Sequence, residues 1–369
     1  MKIFIVCSRL GYGGAEHVAM MWANGFAKKG HAVKLISNLH DDITFPINSQ
    51  VEICNLVSNA CSKKKKWIGA VRNLRKLAKK EKPDVIITVM RLCSMVAKIA
   101  TLGMGIPIVA TEHNAYEWPA SNPMPLQARF FKFYLSKYFN KVTVLTEVDK
   151  ALIDKRLKNV VVMPNPLSLE PIDALLPQRG NNILAVGRLD AWKVKGFDVL
   201  IRAWARVVSS FKFLISTDGW KLQIAGTGSE ESLNYLKQLC RENGVEDLVE
   251  FLGFRKDVEK LYQDASIFVL SSRYEGFGLV LVEAMSQGCA CVACDYKGRQ
   301  REIIQDDSQG LCCEPDNVEA LAAGIQKMMM DEEYRESVRT KAVERSKFYM
   351  IDIIVDRWNN ILNSVVIKK

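Results

Sequence analysis

Short apolar runs alternate with longer helical segments along the first half of this 369-residue chain. The runs are rich in β-branched residues, and segments of helical periodicity separate them. Because parallel strands need crossover connections, this alternation predicts a parallel sheet covered by helices on both faces. The predicted strands occupy residues 2–7, 32–37, 85–88, 108–111, 141–145 and 160–163.

The same alternation resumes after a proline-rich stretch that begins at Pro164 and extends to Pro177. We interpret this stretch as a linker. The chain is long enough for two domains with separate cores, which we assign to residues 1–165 and 166–349. A last helix, from about residue 350 to 369, has Ile354, Trp358 and Leu362 on one face. The strands predicted in the second half are 182–186, 221–225, 249–252, 267–270 and 290–293.

The composition is that of an ordinary soluble protein, with 49% apolar and 25% charged residues. No apolar stretch approaches the roughly 20 residues that span a bilayer, and the first residues predict a buried strand rather than a secretory signal. We therefore expect a reducing, cytoplasmic location with free thiols. The one suggestive cysteine group, Cys289, Cys291, Cys294, Cys312 and Cys313, lacks zinc-site spacing and a nearby histidine. Its first three members predict core thiols on a buried strand.

Positive charge is concentrated in the first half of the chain. Residues 1–165 contain 25 Lys and Arg against 11 Asp and Glu, within a total net charge of +10. Residues 63–80, with Lys63 and Lys80 at their ends, predict a helix with Ile68, Val71, Leu74 and Leu77 on one side and cations on the other. Residues 129–139 are similarly basic and aromatic. Both segments suit an anionic membrane surface, and the alternative is an ordinary helix packed on a sheet. No nucleic-acid-binding motif accompanies the charge, so we do not expect a nucleic acid partner.

Two glutamates, Glu275 and Glu283, are separated by seven residues in a run that follows an apolar strand. The run predicts a glycine-bearing loop and a helix that begins near Gly278. Amide donors at such a helix start suit a diphosphate, whereas carboxylates suit hydroxyl groups. A ligand with a central diphosphate and hydroxyls at both ends is a nucleotide sugar.

The run E-G-F-G-x-x-x-x-E-A-M-x-x-G resembles the signature of the retaining glycosyltransferases of family 4. The resemblance implies the α/β GT-B fold, in which two Rossmann-like domains with parallel sheets face each other across a cleft and the last helix returns to the first domain. It also implies that Glu283 holds the ribose and that Glu275 positions the donor sugar. The resemblance implies that the amides of Gly276, Phe277, Gly278 and Leu279 assist Glu275.

Further site residues follow from the same resemblance. Arg188 and Lys195, in a G-R-x…K-G element, are expected to stabilise the departing diphosphate; the gap between them is unusually long and contains a rival, Lys193. His113 follows a predicted strand and is expected to form a hydrogen bond near the donor sugar. Donor-binding loops are implied at Gly226, Phe254 and Arg255. The loop with Gly13 and Gly14 is implied to approach the donor phosphate, with the acceptor as the alternative.

The implied reaction moves a sugar from a nucleotide sugar, most simply a UDP-sugar, to a hydroxyl of a lipid-linked or growing glycan in polysaccharide biosynthesis. Anomeric configuration is retained, and no cofactor or metal is expected because the chain has no D-x-D motif. We expect the enzyme on the inner face of the plasma membrane. The alternatives are another GT-B enzyme, such as a sugar phosphorylase or an epimerase, or a noncatalytic membrane- or glycan-binding protein.

Overall fold

A computed structural model describes residues 1–11, 13–37, 43, 45–57, 63–118, 123–173, 179–211 and 219–366. Tyr12, in the predicted glycine loop, and residues 174–178, in the predicted linker, lie outside these ranges, as do the side chains of residues 63–65. The chain divides into two compact units: Met1–Pro166 with Tyr349–Lys369, and Leu167–Phe348. The predicted boundary was residue 165. No helix in the described ranges is long and apolar enough to cross a bilayer.

The described part of the first unit contains a parallel sheet in the order β3-β2-β1-β4-β5-β6-β7. Six of these strands were predicted from the sequence, to within one residue at their ends, and the edge strand β3 was not. The strands are β1 Lys2–Cys7, β2 Ala32–Ser37, β3 Glu52–Asn55, β4 Val85–Val89, β5 Ile108–Thr111, β6 Lys141–Val144 and β7 Val160–Val162.

Helices cover both faces of this sheet. Alternate residues of β1 point to opposite faces: Ile3 and Ile5 join one apolar cluster, and Phe4 and Val6 join another. The helices of the first unit are α1 Gly14–Lys28, α2 Lys63–Glu81, α3 Met90–Ala100, α4 Leu126–Phe130, α5 Glu147–Ile153 and the late helix Ile351–Val365. A π-helical turn at Phe131–Leu135 and a 3₁₀ turn at Ser136–Tyr138 continue α4.

The second unit contains a parallel sheet in the order β10-β9-β8-β11-β12-β13 within the described residues. Its strands are β8 Gly180–Val186, β9 Lys221–Ala225, β10 Val249–Gly253, β11 Ala265–Leu270, β12 Ala290–Cys294 and β13 Leu311–Cys313. The short edge strand β13 was not predicted. Its helices are α6 Trp192–Lys195, α7 Phe197–Ser210, α8 Glu230–Glu242, α9 Val258–Asp264, α10 Leu279–Ser286, α11 Val318–Met330 and α12 Glu332–Ser346.

The last helix, α13 (Ile351–Val365), packs against α1 in the first unit, as expected. Trp358 is fully buried, with its ring 4.9 Å from that of Trp22 and 6.3 Å from that of Phe26. The two helices approach closely at Gly25, where a Cβ would lie 2.5 Å from a methyl of Val355. This contact closes one face of the first sheet.

Most of the apolar side of α2 packs on the sheet, which is the alternative left open for this segment. Leu74 is buried in the cluster beneath the sheet, and Val71 and Leu77 pack against the same cluster. Of the four apolar residues on the predicted stripe, only Ile68 is largely exposed, at 63%. The helix therefore presents cations to solvent, while most of its apolar side is covered by the sheet.

The start of the predicted linker is part of the second unit. Leu167 is buried, the Ile172 amide donates to the Ser286 carbonyl at 3.0 Å, and the Gln287 side chain donates to the Glu170 carbonyl at 2.7 Å. Residues 167–172 thus pack along the end of α10.

The cysteine prediction is confirmed for the buried strand. Cys289, Cys291 and Cys294 are fully buried at β12. Burial raises the pKa of each of these thiols above its usual range. At Cys294 the larger cause of the rise is the hydrogen bond with the Cys313 thiol, 4.0 Å away. Cys312 and Cys313 are partly buried on the adjacent edge strand.

Candidate active site

The strand order of the second sheet reverses between β8 and β11. Arg188 lies just after β8, and Glu275 lies on the loop that follows β11. In open parallel sheets, ligands bind outside the carboxyl ends of the strands at such a reversal. The topology therefore brings the predicted cation and the first predicted glutamate to the same binding edge.

Three loops at this edge are joined through backbone contacts. The Gly226 amide donates to the Gly253 carbonyl at 2.8 Å, and the Gly187 amide donates to the Ala225 carbonyl at 2.9 Å. Gly226 has φ of 148°, and a Cβ on it would lie only 1.8 Å from the Gly187 carbonyl oxygen. Glycine is therefore required here for loop packing, and its predicted donor contact stays a prediction.

A short helix places Lys195 beside Glu275. Helix α6 ends at Gly196, whose φ is 66° and whose Cβ would lie 1.9 Å from the Ser271 carbonyl oxygen. The Ser271 hydroxyl donates to the Lys195 carbonyl at 2.8 Å. Because α6 is held against the end of β11, the Lys195 ammonium lies 2.8 Å from Glu275 Oε2.

Lys195, rather than Lys193, faces the motif carboxylate. The Lys193 ammonium is on an exposed side chain and lies over the indole ring of the preceding residue, 5.2 Å from its centroid. Glu275 accepts a further hydrogen bond from the Ser272 hydroxyl at 3.2 Å. Arg188 is exposed at the same edge. An ammonium has three donors, so Lys195 can hold Glu275 and still contact an anion.

The second glutamate is enclosed in the second turn of α10. That helix begins after Gly278, which adopts φ of 92°. Ser168 Oγ donates to Glu283 Oε1, and the Tyr262 hydroxyl donates to Oε2 at 3.1 Å. Burial raises the pKa of Glu283, and these two hydrogen bonds oppose the rise.

The loop between the two glutamates is compact. Gly276, Phe277 and Gly278 are buried, and Leu279 is half-buried at the start of α10. The Gln300 side chain donates to the Phe277 carbonyl at 3.3 Å. The loop predicted to position the sugar is thus fixed from the side of β12.

The loop after β10 is exposed at this edge. Phe254 is 54% exposed. Arg255 forms a two-point ion pair with Asp257 in its own loop, at 2.8 and 2.5 Å. Because both partners are exposed, this pair shapes the loop more than it stabilises the fold.

Two predicted residues start α1 in the first unit. Gly13 is the N-terminal cap of that helix and Gly14 is its first residue. The Glu16 carboxylate folds back toward Gly13, where an added Cβ would lie 2.2 Å from Oε2, and accepts a hydrogen bond from Ser8 Oγ at 3.3 Å. The first unit's sheet reverses between β1 and β4, so this loop also lies at a reversal.

His113 is held on both ring nitrogens. Nε2 lies 3.0 Å from Thr111 Oγ1, and Nδ1 lies 3.1 Å from Asn165 Oδ1. The Thr111 hydroxyl donates to the Thr88 carbonyl at 3.0 Å, so it accepts from the Nε2 hydrogen of His113. Burial lowers the pKa of His113 to about 4, so the ring is neutral at pH 7. A neutral ring with hydrogen on Nε2 needs a donor at Nδ1, which the amide nitrogen of Asn165 supplies when that group is rotated.

Comparison with known proteins identifies the family and the fold. The family model described as Glycosyltransferase Family 4 matches residues 12–171, and that described as Glycosyl transferases group 1 matches residues 170–345. The chain belongs to glycosyltransferase family 4. The solved structure of HepE from Anabaena in complex with UDP-glucose has the same fold, with a TM-score of 0.77, 19% identity, and coverage of 99% of this chain and 100% of HepE.

Relatives of this family-4 glycosyltransferase match it over nearly its full length. An uncharacterized glycosyltransferase from Haemophilus influenzae is 28% identical, over 95% of this chain and 96% of the relative. A Campylobacter jejuni α-1,4-N-acetyl-D-galactosaminyltransferase, named for a diphospho-undecaprenol-linked glycan, is 26% identical over 99% of both chains. The fold of this glycosyltransferase is GT-B, and its activity belongs to the glycosyl-transfer class.

Proposed function

We propose that this glycosyltransferase moves a sugar from a UDP-sugar to a hydroxyl of a lipid-linked or growing glycan in polysaccharide biosynthesis, with retention of anomeric configuration. Two names among its relatives support the substrates: the Campylobacter jejuni enzyme is named for a diphospho-undecaprenol glycan, and HepE was solved with UDP-glucose. The observation that carries the proposal is the 2.8 Å contact of Lys195 with Glu275 at the edge where the second sheet reverses.

The described contacts suit a division of roles. Glu283, oriented on both oxygens, would accept hydrogen bonds from the ribose hydroxyls. Lys195 would bridge Glu275 and the diphosphate, and Arg188 would add a second cation as negative charge develops on the leaving group. Glu275 and the amides of residues 276–279 would position the sugar.

The number of carboxylates near the sugar distinguishes this reaction from hydrolysis by a glycosidase. Because Glu283 is assigned to the nucleotide, one carboxylate remains near the sugar, whereas a glycosidase uses two. The leaving phosphate then accepts the acceptor's proton, and neutral His113 serves as a hydrogen-bonding group. The reaction is proposed to need no metal, so EDTA should leave the rate unchanged.

Membrane association is part of the same proposal. The exposed cations of α2, among them Arg72, Lys76 and Lys80, would draw the enzyme to the anionic inner face of the plasma membrane, where a lipid-linked acceptor resides.

The direct test is turnover of a panel of nucleotide sugars with lipid-linked acceptors, followed by NMR of the anomeric configuration in the product. Glu283→Ala should weaken donor binding, and Glu275→Gln should lower kcat by about a hundredfold or more with little change in stability. Glu319→Gln, which alters an exposed ion pair with Arg206 in the same unit, is the matched control. Normal kinetics in both site variants would refute the assignment, and an inverted product would refute retention.

A further inference from the structure

A row of exposed apolar side chains runs along the segment from α4 to the 3₁₀ turn of the first unit. The row recurs at every fourth residue and is 82%, 55%, 55% and 58% exposed in chain order. Its members are Leu126, Phe130, Tyr134 and Tyr138. We call these four residues the apolar row. Contiguous exposed apolar surface of this kind marks a site of interaction more often than isolated residues do.

The local helix geometry keeps the row aligned. Four residues of an α-helix advance by more than one turn, so a row at this spacing drifts around the helix. The π-helical turn at Phe131–Leu135 is wider and rotates less per residue, which offsets the drift. The rings of Phe130 and Tyr134 stack, with centroids 5.5 Å apart.

The opposite side of this segment is committed to the interior. Phe131 and Phe139 are buried in the cluster beneath the sheet. Lys132 is also turned inward, where its ammonium lies 3.2 Å from the buried carboxylate of Glu112. The segment therefore buries a charge while it leaves four large apolar side chains exposed.

The helices α2, α3 and α5 pack on the same face of the sheet as this segment, because all of them contribute to one apolar cluster with Phe4 and Val6. Their outer sides thus belong to one layer. Arg75 of α2 donates to the carbonyls of Ala100 and Leu102 at 2.9 and 3.1 Å, and Lys98 of α3 donates to the Tyr138 carbonyl at 2.7 Å. These bonds link the basic helix to the apolar row through the end of α3.

The charged residues in most of the chain segments that form this layer are positive. Residues 53–80, 85–111 and 118–146 contain no Asp or Glu. Exposed cations flank the row, including Arg129 and Lys137, and exposed Leu102 extends the apolar surface at the end of α3. Acids of the layer lie at its margins: Glu81 ends α2, Glu147 and the buried Asp149 are on α5, and Asp154 directly follows α5. A second copy of this surface would be repelled, whereas an anionic bilayer is complementary to it.

We propose that the apolar row inserts into the interfacial region of an anionic phospholipid bilayer, with the cations of α2 alongside it. This inference rests on the proposed membrane-bound acceptor and assigns the apolar contact to residues 126–138. Helix α2 supplies charge, but most of its apolar side is covered by the sheet. Phe and Leu bury apolar surface below the headgroups, and Tyr holds its hydroxyl at the boundary.

The test is sedimentation with vesicles of equal parts phosphatidylglycerol and phosphatidylcholine. The double variant Phe130→Ser with Tyr134→Ser should bind at least about tenfold more weakly than the wild-type enzyme. A matched control, Phe348→Ser with Ile353→Ser, alters two apolar residues that are each 40% exposed elsewhere on the chain and should bind as wild type. Both pairs are exposed, so folding should be preserved.

A fluorescence measurement places the row directly. Phe130→Trp should shift its emission to shorter wavelength on addition of these vesicles, whereas Ile353→Trp should not. Wild-type binding that survives in the double variant, or an unshifted Phe130→Trp spectrum, would overturn the inference.

Turnover separates this inference from the proposed function. With a water-soluble acceptor, the double variant should retain wild-type kcat, and a lost kcat would show that the row serves the reaction rather than the membrane. If the enzyme transfers sugar but does not sediment with vesicles, the membrane role of the apolar row is refuted and the proposed function is not. An enzyme that sediments through the row but transfers no sugar refutes the proposed function alone.

Discussion

At the scale of single residues, the most informative arrangement is the fixing of Glu283 by Ser168 and Tyr262. The spacing of the two glutamates is visible in the sequence, but their partners are not. Ser168 is 115 residues away and belongs to a stretch interpreted as a linker, and Tyr262 lies on α9. No local periodicity connects such positions, because the contact exists only after α9, α10 and residues 167–172 have packed together.

Removal of one hydroxyl tests this arrangement. Tyr262→Phe keeps the buried ring and deletes the donor to Glu283 Oε2, so we expect UDP or UDP-sugar to bind about three- to tenfold more weakly. Tyr334→Phe, which removes a hydroxyl that donates to the Asp307 carbonyl in the same unit, is the control. Titration calorimetry measures both. Equal affinities in the two variants would show that the Tyr262 hydroxyl does not orient Glu283 for the nucleotide.

The choice between Lys193 and Lys195 was also beyond the sequence. Lys193 and Lys195 are two positions apart, so spacing does not rank them, and only the family resemblance favoured Lys195. The left-handed conformation of Gly196 and its contact with Ser271 fix the end of α6, and this places Lys195 against Glu275. A backbone conformation thus determines which cation meets the carboxylate.

At the scale of elements, the strands of both sheets were largely predictable, and the exceptions share a cause. Interior strands are buried on both faces, so they form continuous apolar runs such as β4 and β12. The missed strands β3 and β13 are edge strands of four and three residues without fully buried side chains. Short, partly exposed strands lack the apolar run that identifies the others.

The loops that end these strands give a second prediction. Gly226→Ala would force a Cβ against the Gly187 carbonyl oxygen, so it should lower the free energy of unfolding of the second unit by more than about 2 kcal/mol and weaken donor binding. Gly244→Ala is the control, because Gly244 has φ of 66° but no atom within 4 Å of an added Cβ, and only the backbone cost of about 1 kcal/mol should remain. Urea unfolding measures the difference. If the two variants lose similar amounts of unfolding free energy, the loops after β8 and β9 can move apart to accommodate the added Cβ at little cost.

At the scale of the whole molecule, the neutral His113 makes the stability of the first unit depend on pH. The folded pKa is about 4, against an ordinary value of 6.5. Between these values the unfolded chain binds a proton that the folded chain does not, so stability is lost as the pH falls from about 6.5 to about 4. The full loss of stability is on the order of 3 kcal/mol.

Hydrogen exchange of residues 1–166, compared between the wild-type enzyme and His113→Gln, isolates this contribution. The stability advantage of the wild type should shrink as the pH is lowered through that range. His17, whose pKa burial also lowers to about 4, remains in both proteins and cancels in the comparison. An advantage that does not change with pH would mean that folding does not lower the pKa of His113.

The packing of α13 on α1 has a consequence for how the polypeptide is made. Residues 351–365 leave the ribosome only after the entire second unit has been synthesised. Until then, Trp22 and Phe26 lack the Trp358 contact that covers them in the finished enzyme. The nascent first unit therefore exposes an aromatic surface while the second unit is being synthesised. Chaperones that bind exposed apolar surface can bind there during that time.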